Sequence, residues 1–237
     1  MIEVAASPVL HSGSVADNCL VRNDWVCPLY LTTRSEQVLA ALQEHVTILL
    51  ITLVVSVLLS LPLAVLAHRA AWVKAFVLGT STVIYTIPSL AMFSLLLPIT
   101  GFGPSTVVVA LVLYSLTVLV RGLVSGLDAV PRDAVDAATG MGYSRGRLLR
   151  EVELPLAVPT AFAGLRIAAV STVALTTIGY LFDSGGLGNL INQGLTSNFR
   201  AEVLTATVLA VVLAVLVDVL LVLLRRVLTP WRRGVAA

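Results

Sequence analysis

Long apolar runs constrain this chain more than any other feature. The stretches near residues 46–67, 105–127, 155–182 and 203–224 are each long enough to cross a bilayer, which takes about 20 mostly apolar residues. Hydrophobic residues make up 58% of the chain and charged residues only 12%. A soluble domain carries about twice that charge, near a quarter of its residues. Burial therefore means burial in lipid as well as in protein, and an all-α integral membrane protein is expected.

Residues 1–44 are mixed in character, with Pro8, Gly13, Asp17, Asn18 and Asp24 interrupting any period. No signal peptide is expected, since no basic start precedes an apolar core and a small-residue cleavage site. From Ser35 onward Val38, Leu39, Leu42 and Val46 fall at helical spacing. With Ser35 as N-cap, this predicts a short amphipathic helix on the membrane surface before the first span. The first span covers roughly 46–67, and His68, Arg69, Trp72 and Lys74 form a basic turn with Trp72 as interfacial anchor. The second span, 75–97, is interrupted by Pro88 and ends in a turn marked by Pro98, Gly101, Gly103 and Pro104. In the third, 105–127, Gly122 and Gly126 have the spacing that lets helices approach closely. A polar stretch, 128–154, precedes the fourth span at 155–182, and a glycine-rich segment, 183–194, precedes the fifth at 203–224.

Lysine and arginine positions orient the spans. Of fifteen basic residues, eleven fall on one side: Arg69, Lys74, Arg121, Arg132, Arg145, Arg147, Arg150, Arg225, Arg226, Arg232 and Arg233. Arg22, Arg34 and Arg200 fall on the other. Basic loops stay in the cytoplasm, so five spans run with the N-terminus outside and the C-terminus inside. The expected organisation is an extracytoplasmic tail and interfacial helix (1–44), a membrane domain (45–226) and a cytoplasmic basic tail (227–237).

Several chemistries are excluded by the same inventory. The one lysine, Lys74, follows Val73, whereas a phosphate-binding P-loop needs Gly-Lys-Ser/Thr. Nucleotide hydrolysis is therefore not expected on this chain. His11, His45 and His68 are scattered, and no serine lies in a nucleophile elbow, so neither an intramembrane enzyme nor a metal or cofactor site is expected. Nucleic acid is not an expected partner. Cys19 and Cys27 fit neither a zinc site nor a CxxC motif. In an extracytoplasmic tail they can form a disulfide, or remain two unpaired thiols.

The polar loop reads as two short helices about a glycine hinge. Pro131 suits the first turn of the first helix, with Asp133 and Asp136 near its positive dipole end. Gly140 and Gly142 stop or bend it. Ser144 can cap a second helix carrying Arg145, Arg147 and Arg150, which Pro155 ends. Asp136-Ala137-Ala138, then Gly142, Val152 and Leu154-Pro155 resemble, at every spacing, the cytoplasmic segment of binding-protein-dependent ABC importer permeases. That family's pattern begins with Glu, so Asp136 keeps the charge and shortens its reach. The resemblance implies that 128–155 is a coupling segment docking into a groove on an ATPase subunit. It implies two ATPase subunits, a second permease chain, identical or homologous, and an extracytoplasmic solute-binding protein.

The resemblance covers most of 45–226. Tyr85-Thr86-Ile87-Pro88-Ser89-Leu90, Leu127-Asp128-Ala129-Val130-Pro131, Gly164-Leu165-Arg166-Ile167-Ala168 and Gly185-Gly186-Leu187-Gly188 look most like permeases for glycine betaine, choline, carnitine and related osmoprotectants. Methionine and other small-solute permeases share parts of these stretches. Within the spans, Tyr85, Thr86, Pro88 and Ser89 are either a polar step in a translocation path or a packed kink. Thr172, Thr176 and Thr177 either line the same path or bond their own carbonyls. Arg166 can snorkel to the headgroups, and Asp218 shares a helix face with Arg225, which suits a structural ion pair. An ion-coupled secondary transporter would instead use Asp218 and Arg166 as a proton relay. The segment 183–194 is either an external closure or a plain loop. Aromatics are 6% of the chain and do not cluster in sequence. Recognition of a quaternary ammonium, which usually needs an aromatic cage, is thus expected mainly on the binding protein.

Overall fold

The computed structural model describes residues 18–231, and every regular element among them is helical. Pro8, His11, Gly13, Asp17, Arg232 and Arg233 lie outside the described residues. Two short helices, α1 (Cys19–Arg22) and α2 (Pro28–Thr33), lead into α3 (Ser35–Arg69), a single helix of 35 residues. The amphipathic turns at 35–44 are therefore the start of the first span and not a separate surface helix. The helix is continuous from Ser35 to Arg69 although Pro62, inside it, leaves one bond of the ladder unmade. Arg34, not Ser35, holds the cap position. At 1.5 Å per residue α3 is about 52 Å long, well beyond a hydrocarbon core of about 30 Å.

The second span is two helices, α4 (Ala71–Thr86) and α5 (Ser89–Thr100), bent by 101° at their break. Ile87 is extended there (ψ 125°), as a residue preceding proline must be. The carbonyl groups at the break find new partners. That of Ile84 accepts the Ile87 N–H at 3.2 Å, and that of Ile87 accepts the Tyr114 hydroxyl. Pro98 falls inside α5, and the turn after it is made by Gly101 and Gly103, both at positive φ.

Next comes α6 (Pro104–Asp128), which runs in the same direction as α3. Ile48 packs with Val107 and Leu111 at one end, and Ala64 and Ala67 pack with Val120 and Val124 at the other. The bent α4–α5 pair must then return the chain from one end to the other, which makes it a broken span and not a re-entrant loop. Two short helices follow, α7 (Arg132–Gly140) and α8 (Arg145–Leu148). A π turn (Leu149–Glu153) carries the chain into α9 (Leu154–Thr176) without a break at Pro155. That proline lies just past the π turn and, having no N–H, removes one bond from the ladder there. A 3-10 stretch (Thr177–Phe182), α10 (Leu187–Thr196) and α11 (Arg200–Leu228) complete the described chain. Four helical segments are long and apolar enough to cross a membrane, and the bent pair makes a fifth crossing.

The pair α6 and α9 forms the centre. Gly122 meets Gly164, and a Cβ added at Gly126 would lie 2.8 Å from the Ala157 carbonyl oxygen. Small residues here allow backbone contact, the main source of helix affinity where lipid and protein are equally apolar. Outermost is α11, with Val211, Val215, Leu216 and Leu220 all exposed, a surface suited to acyl chains. Asp218 on α11 receives a bidentate pair from Arg166 of α9 at 2.6 and 2.7 Å. Arg166 thus does not snorkel, and Asp218 pairs across helices and not with Arg225. Seven residues along one helix is a rise of about 10 Å, too far for that second pairing.

A hook at the α10 end closes the fold. Cys19 and Cys27 are disulfide-bonded with Cα atoms 5.5 Å apart. The Asn23 amide donates to the Asn198 carbonyl at 2.7 Å, and its oxygen accepts the Arg200 N–H at 2.9 Å. Tyr30 is buried edge-on against Phe199, among Val38, Leu187, Leu190 and Ala201. Burial, then the nearby Glu202 carboxylate, push the Tyr30 hydroxyl up from 10.0 to about 12. The folded hook therefore holds this proton more tightly than the unfolded chain does. Its contribution is complete below pH 10 and falls as pH rises towards 12. Trp25, stacked over Arg200 at 5.7 Å, is the reporter. In a protein with Trp72 and Trp231 replaced by phenylalanine, its fluorescence is expected to shift across that window. A flat profile would show that Tyr30 does not hold the hook.

Candidate functional site

The break between α4 and α5 opens a recess of about 480 Å³ against α6 and α9. Tyr85, Thr86, Pro88 and Ser89 line it from the break, and Thr172 lines it from α9. Thr176 does not reach it. Its side chain is fully buried behind, donating to the Thr172 carbonyl at 2.7 Å. The recess also contains Tyr114, Ser115 and Ser171, which the sequence reading passed over. The available signal was a tyrosine–serine pair in the middle of the third span, where polar groups are costly unless they serve a purpose.

These side chains are held by one another. The hydroxyls of Ser115 and Thr172 lie 2.9 Å apart, and Thr172 donates to its own helix at Ala168. Tyr85 stands edge-on to Tyr114 with ring centroids 6.2 Å apart and planes at 74°. Aromatics dispersed in sequence therefore do meet, where the last turn of α4 lies against α6. A second recess of about 530 Å³ adjoins the first along Tyr85, Thr86 and Val118 and runs down to Arg121 and Gly164. Arg121 is tied to α4 by hydrogen bonds to the Thr82 hydroxyl and the Leu78 carbonyl.

At the α10 end the glycine-rich segment is a compact plug and not a plain loop. Residues 184–188 are buried, with the Ser184 hydroxyl on the Glu44 carboxylate at 3.0 Å. Gly186, at positive φ, lies against the backbone of His45. The His45 imidazole, itself fully buried, reaches the Val173 carbonyl at 3.2 Å. The plug is thereby fastened to α3, which His45 in turn joins to α9.

The opposite end carries the 132–153 loop. Helix α7 stops in a Schellman cap: the Gly142 N–H bonds the Thr139 carbonyl at 2.9 Å, and the Tyr143 N–H bonds the Ala138 carbonyl at 3.1 Å. Gly142 takes φ +83° with open space around it, so backbone conformation and not crowding requires glycine there. Gly140 is an ordinary final residue of α7. Asp136 and Ala137 are exposed, as is Met141 at the tip, while Ala138 is buried against the body. Val152, Leu154 and Pro155 are half-buried at the root of the loop. Ser144 precedes α8 but caps it only through its carbonyl, which accepts the Leu148 N–H. Arg147 binds Glu151 at 3.0 Å and covers the Tyr143 ring at 4.3 Å.

A charged cluster joins this loop to the spans. His68 lies 3.7 Å from Asp128 and 3.6 Å from Glu153, and Lys74 bonds Asp128. The ends of α3 and α6 and the start of α4 are thus tied to the π turn that enters α9. Among the described residues no group of three or more His, Cys, Asp or Glu side chains is arranged to hold a metal ion.

A five-crossing helical body with a polar recess at a broken span and a folded loop at one end has the build of a membrane transport subunit. Residues 56–234 match the family described as binding-protein-dependent transport system inner membrane component, and the chain belongs to it. It is accordingly the multi-pass permease component of an ABC importer and not its ATPase. It is 31% identical to the choline transport system permease protein OpuBB of Bacillus subtilis, over 85% of this chain and 93% of that one. It is 33% identical to the osmoprotectant import permease protein OsmW of Salmonella typhimurium, over 79% and 89%. In fold it is similar to the MetNI methionine ABC transporter in an inward-facing conformation, with a TM-score of 0.70 at 21% identity over 79% of this chain and 94% of that one. A crystal structure of an amino acid ABC transporter with histidines gives 0.67 at 20% identity, over 85% and 98%. The all-helical, multi-span build expected from the sequence is consistent with the fold of these permeases.

Proposed function

We propose that this chain forms half of the translocation path for a small quaternary-ammonium osmoprotectant such as choline or glycine betaine. The observation that carries the solute class is the shared description of relatives aligned over four-fifths or more of their length. On this reading the path passes Tyr85, Thr86, Pro88, Ser89 and Thr172 and is completed by a second permease chain, because the two recesses lie along one flank of the body. The basic loop end faces the cytoplasm and the disulfide hook faces outward, in accord with the arginine count. The membrane domain is 45–226, between an outer segment at 1–44 and a cytoplasmic tail at 227–237. A solute-binding protein docks at the hook and plug end, lipid surrounds α11, and two ATPase subunits dock at the loop.

Coupling runs through Asp136, Ala137, Ala138, Gly142, Val152, Leu154 and Pro155. ATP-driven closure of the ATPases pushes the exposed face of α7. The Schellman cap keeps α7 and α8 at a fixed angle, and the π turn with the His68–Asp128–Glu153 cluster passes the displacement to α9, α3 and α6. The test is reconstitution with the partner ATPase and binding protein in liposomes. Choline or glycine betaine uptake requiring internal ATP is expected. Uptake by this chain alone on an ion gradient would replace the reading with a secondary transporter. Methionine uptake without choline or betaine uptake would replace the solute. Gly142→Ala forces a β-carbon into the left-handed region, at about 1–2 kcal/mol. It is expected to lower ATP-dependent uptake severalfold, with Gly142→Asn intermediate. Unchanged uptake and unchanged ATPase retention in Gly142→Ala would remove the loop from the coupling route.

A further inference from the structure

We propose that the recess at the α4–α5 break is a transient binding subsite for a quaternary ammonium headgroup, with Tyr85 and Tyr114 supplying two aromatic faces. The proposal rests on the solute class given above and assigns part of its recognition to this chain, where sequence alone assigned it to the binding protein.

Four observations carry it. First, the two rings meet at 74° with centroids 6.2 Å apart, and both side chains line the recess. Two perpendicular faces are half of an aromatic cage, the arrangement that attracts a diffuse cation through the ring quadrupoles. Second, the rings are held differently. Tyr114 is buried and pinned through its hydroxyl to the Ile87 carbonyl, whereas Tyr85 is 58% exposed and presents its face. Third, among the described residues no carboxylate, lysine or arginine lines the recess. A primary ammonium there would lack a carboxylate for its three N–H donors, whereas a fully methylated nitrogen has no N–H to satisfy and can rest its charge against ring faces. Fourth, the hydroxyls divide by role. Thr86 and Thr172 donate to their own helices. The Ser89 and Ser171 side-chain hydroxyls have no hydrogen-bond partner among the described residues, so they remain donors for the hydroxyl or carboxylate at the other end of such a solute.

The volume, about 480 Å³, lies within the range of small-molecule sites, roughly 300–1,000 Å³. A half-cage also suits a stop along a route. Conduction needs a site attractive enough to enter and weak enough to leave, and a fully closed cage would trap the cation.

The experiment uses the assembled permease–ATPase complex without its binding protein, titrated with choline and with its neutral isostere 3,3-dimethylbutan-1-ol by saturation-transfer NMR. Choline uptake is measured in parallel in liposomes with the binding protein restored. Choline is expected to bind, and the isostere to bind at least tenfold more weakly. Tyr85→Leu is expected to weaken choline roughly tenfold, the scale of one lost cation–π face. Tyr85→Phe, which keeps the face, should recover most of the choline binding that Tyr85→Leu loses. Tyr85 is exposed, so neither substitution threatens folding. If Tyr85→Leu binds and transports choline like the parent, or if the isostere binds equally well, the subsite is overturned while the solute assignment stands. If the parent complex transports another solute and no quaternary ammonium, both fall together.

Discussion

Alanine at Gly188 is expected to destabilise the purified protein by about 1–3 kcal/mol or more, the usual cost of overpacking a filled site. The added carbon would lie 2.1 Å from the Thr177 carbonyl oxygen and 2.6 Å from the Thr177 Cα. Both are backbone atoms, so no side chain can swing aside to relieve the contact. Either α10 lifts away from the 177–182 turn or that turn deforms, and both outcomes loosen the plug on α3. For a chain of this size the midpoint of thermal unfolding in detergent should fall by roughly 2–12 °C. Gly79→Ala is the control. It sits in the interior of α4 with nothing within 4 Å of an added Cβ, and alanine there should be neutral or slightly stabilising. Equal midpoints for the two variants would mean that the plug is not packed as described.

The second large effect concerns Asp218. Replacing it with leucine leaves the Arg166 guanidinium without its bidentate partner on a surface that faces acyl chains. An unpaired arginine in that setting must draw in water or headgroups or move the helix. Asp218→Leu should therefore reduce the yield of folded protein in the membrane more than any nearby apolar substitution on α11. The double variant Arg166→Leu/Asp218→Leu should recover much of that loss, since removing both charges leaves no orphan. A relay would behave differently: the double variant would be folded yet inactive, and ATP-independent flux would vanish with it. Comparing folded yield with ATP-driven uptake in the parent and these two variants separates a structural pair from a working one.

How much of this was legible in advance differs from residue to residue. The number of crossings was readable because lipid imposes length and apolarity on every span independently. The Gly122–Gly126 spacing was readable because it encodes a local surface that α9 had only to meet. The loop was readable because its spacing is a local pattern. The 101° bend was not, since Pro88 announces a break but its angle is set by what α5 packs against, the Phe93 and Phe182 cluster. Tyr114 was missed because its partner, the Ile87 carbonyl, lies 27 residues away in sequence. The Arg166–Asp218 pair was misassigned for a similar reason. Helical spacing can suggest neighbours along one helix but says nothing about the helix opposite. The unbroken α3 was mistaken for two elements because amphipathic turns and an apolar span look like different environments, although one continuous backbone serves both.

The Cys19–Cys27 bridge has a consequence for how this protein is sorted. It ties down the segment that clasps Asn198 and Arg200, at the end opposite the basic loop. Thiols in that position are oxidised only where the compartment permits it. On the proposed orientation, with the hook outside, a chain inserted the other way would carry reduced cysteines on it. The state of these two sulfurs is a chemical record of which way the chain entered the membrane, written independently of the arginines.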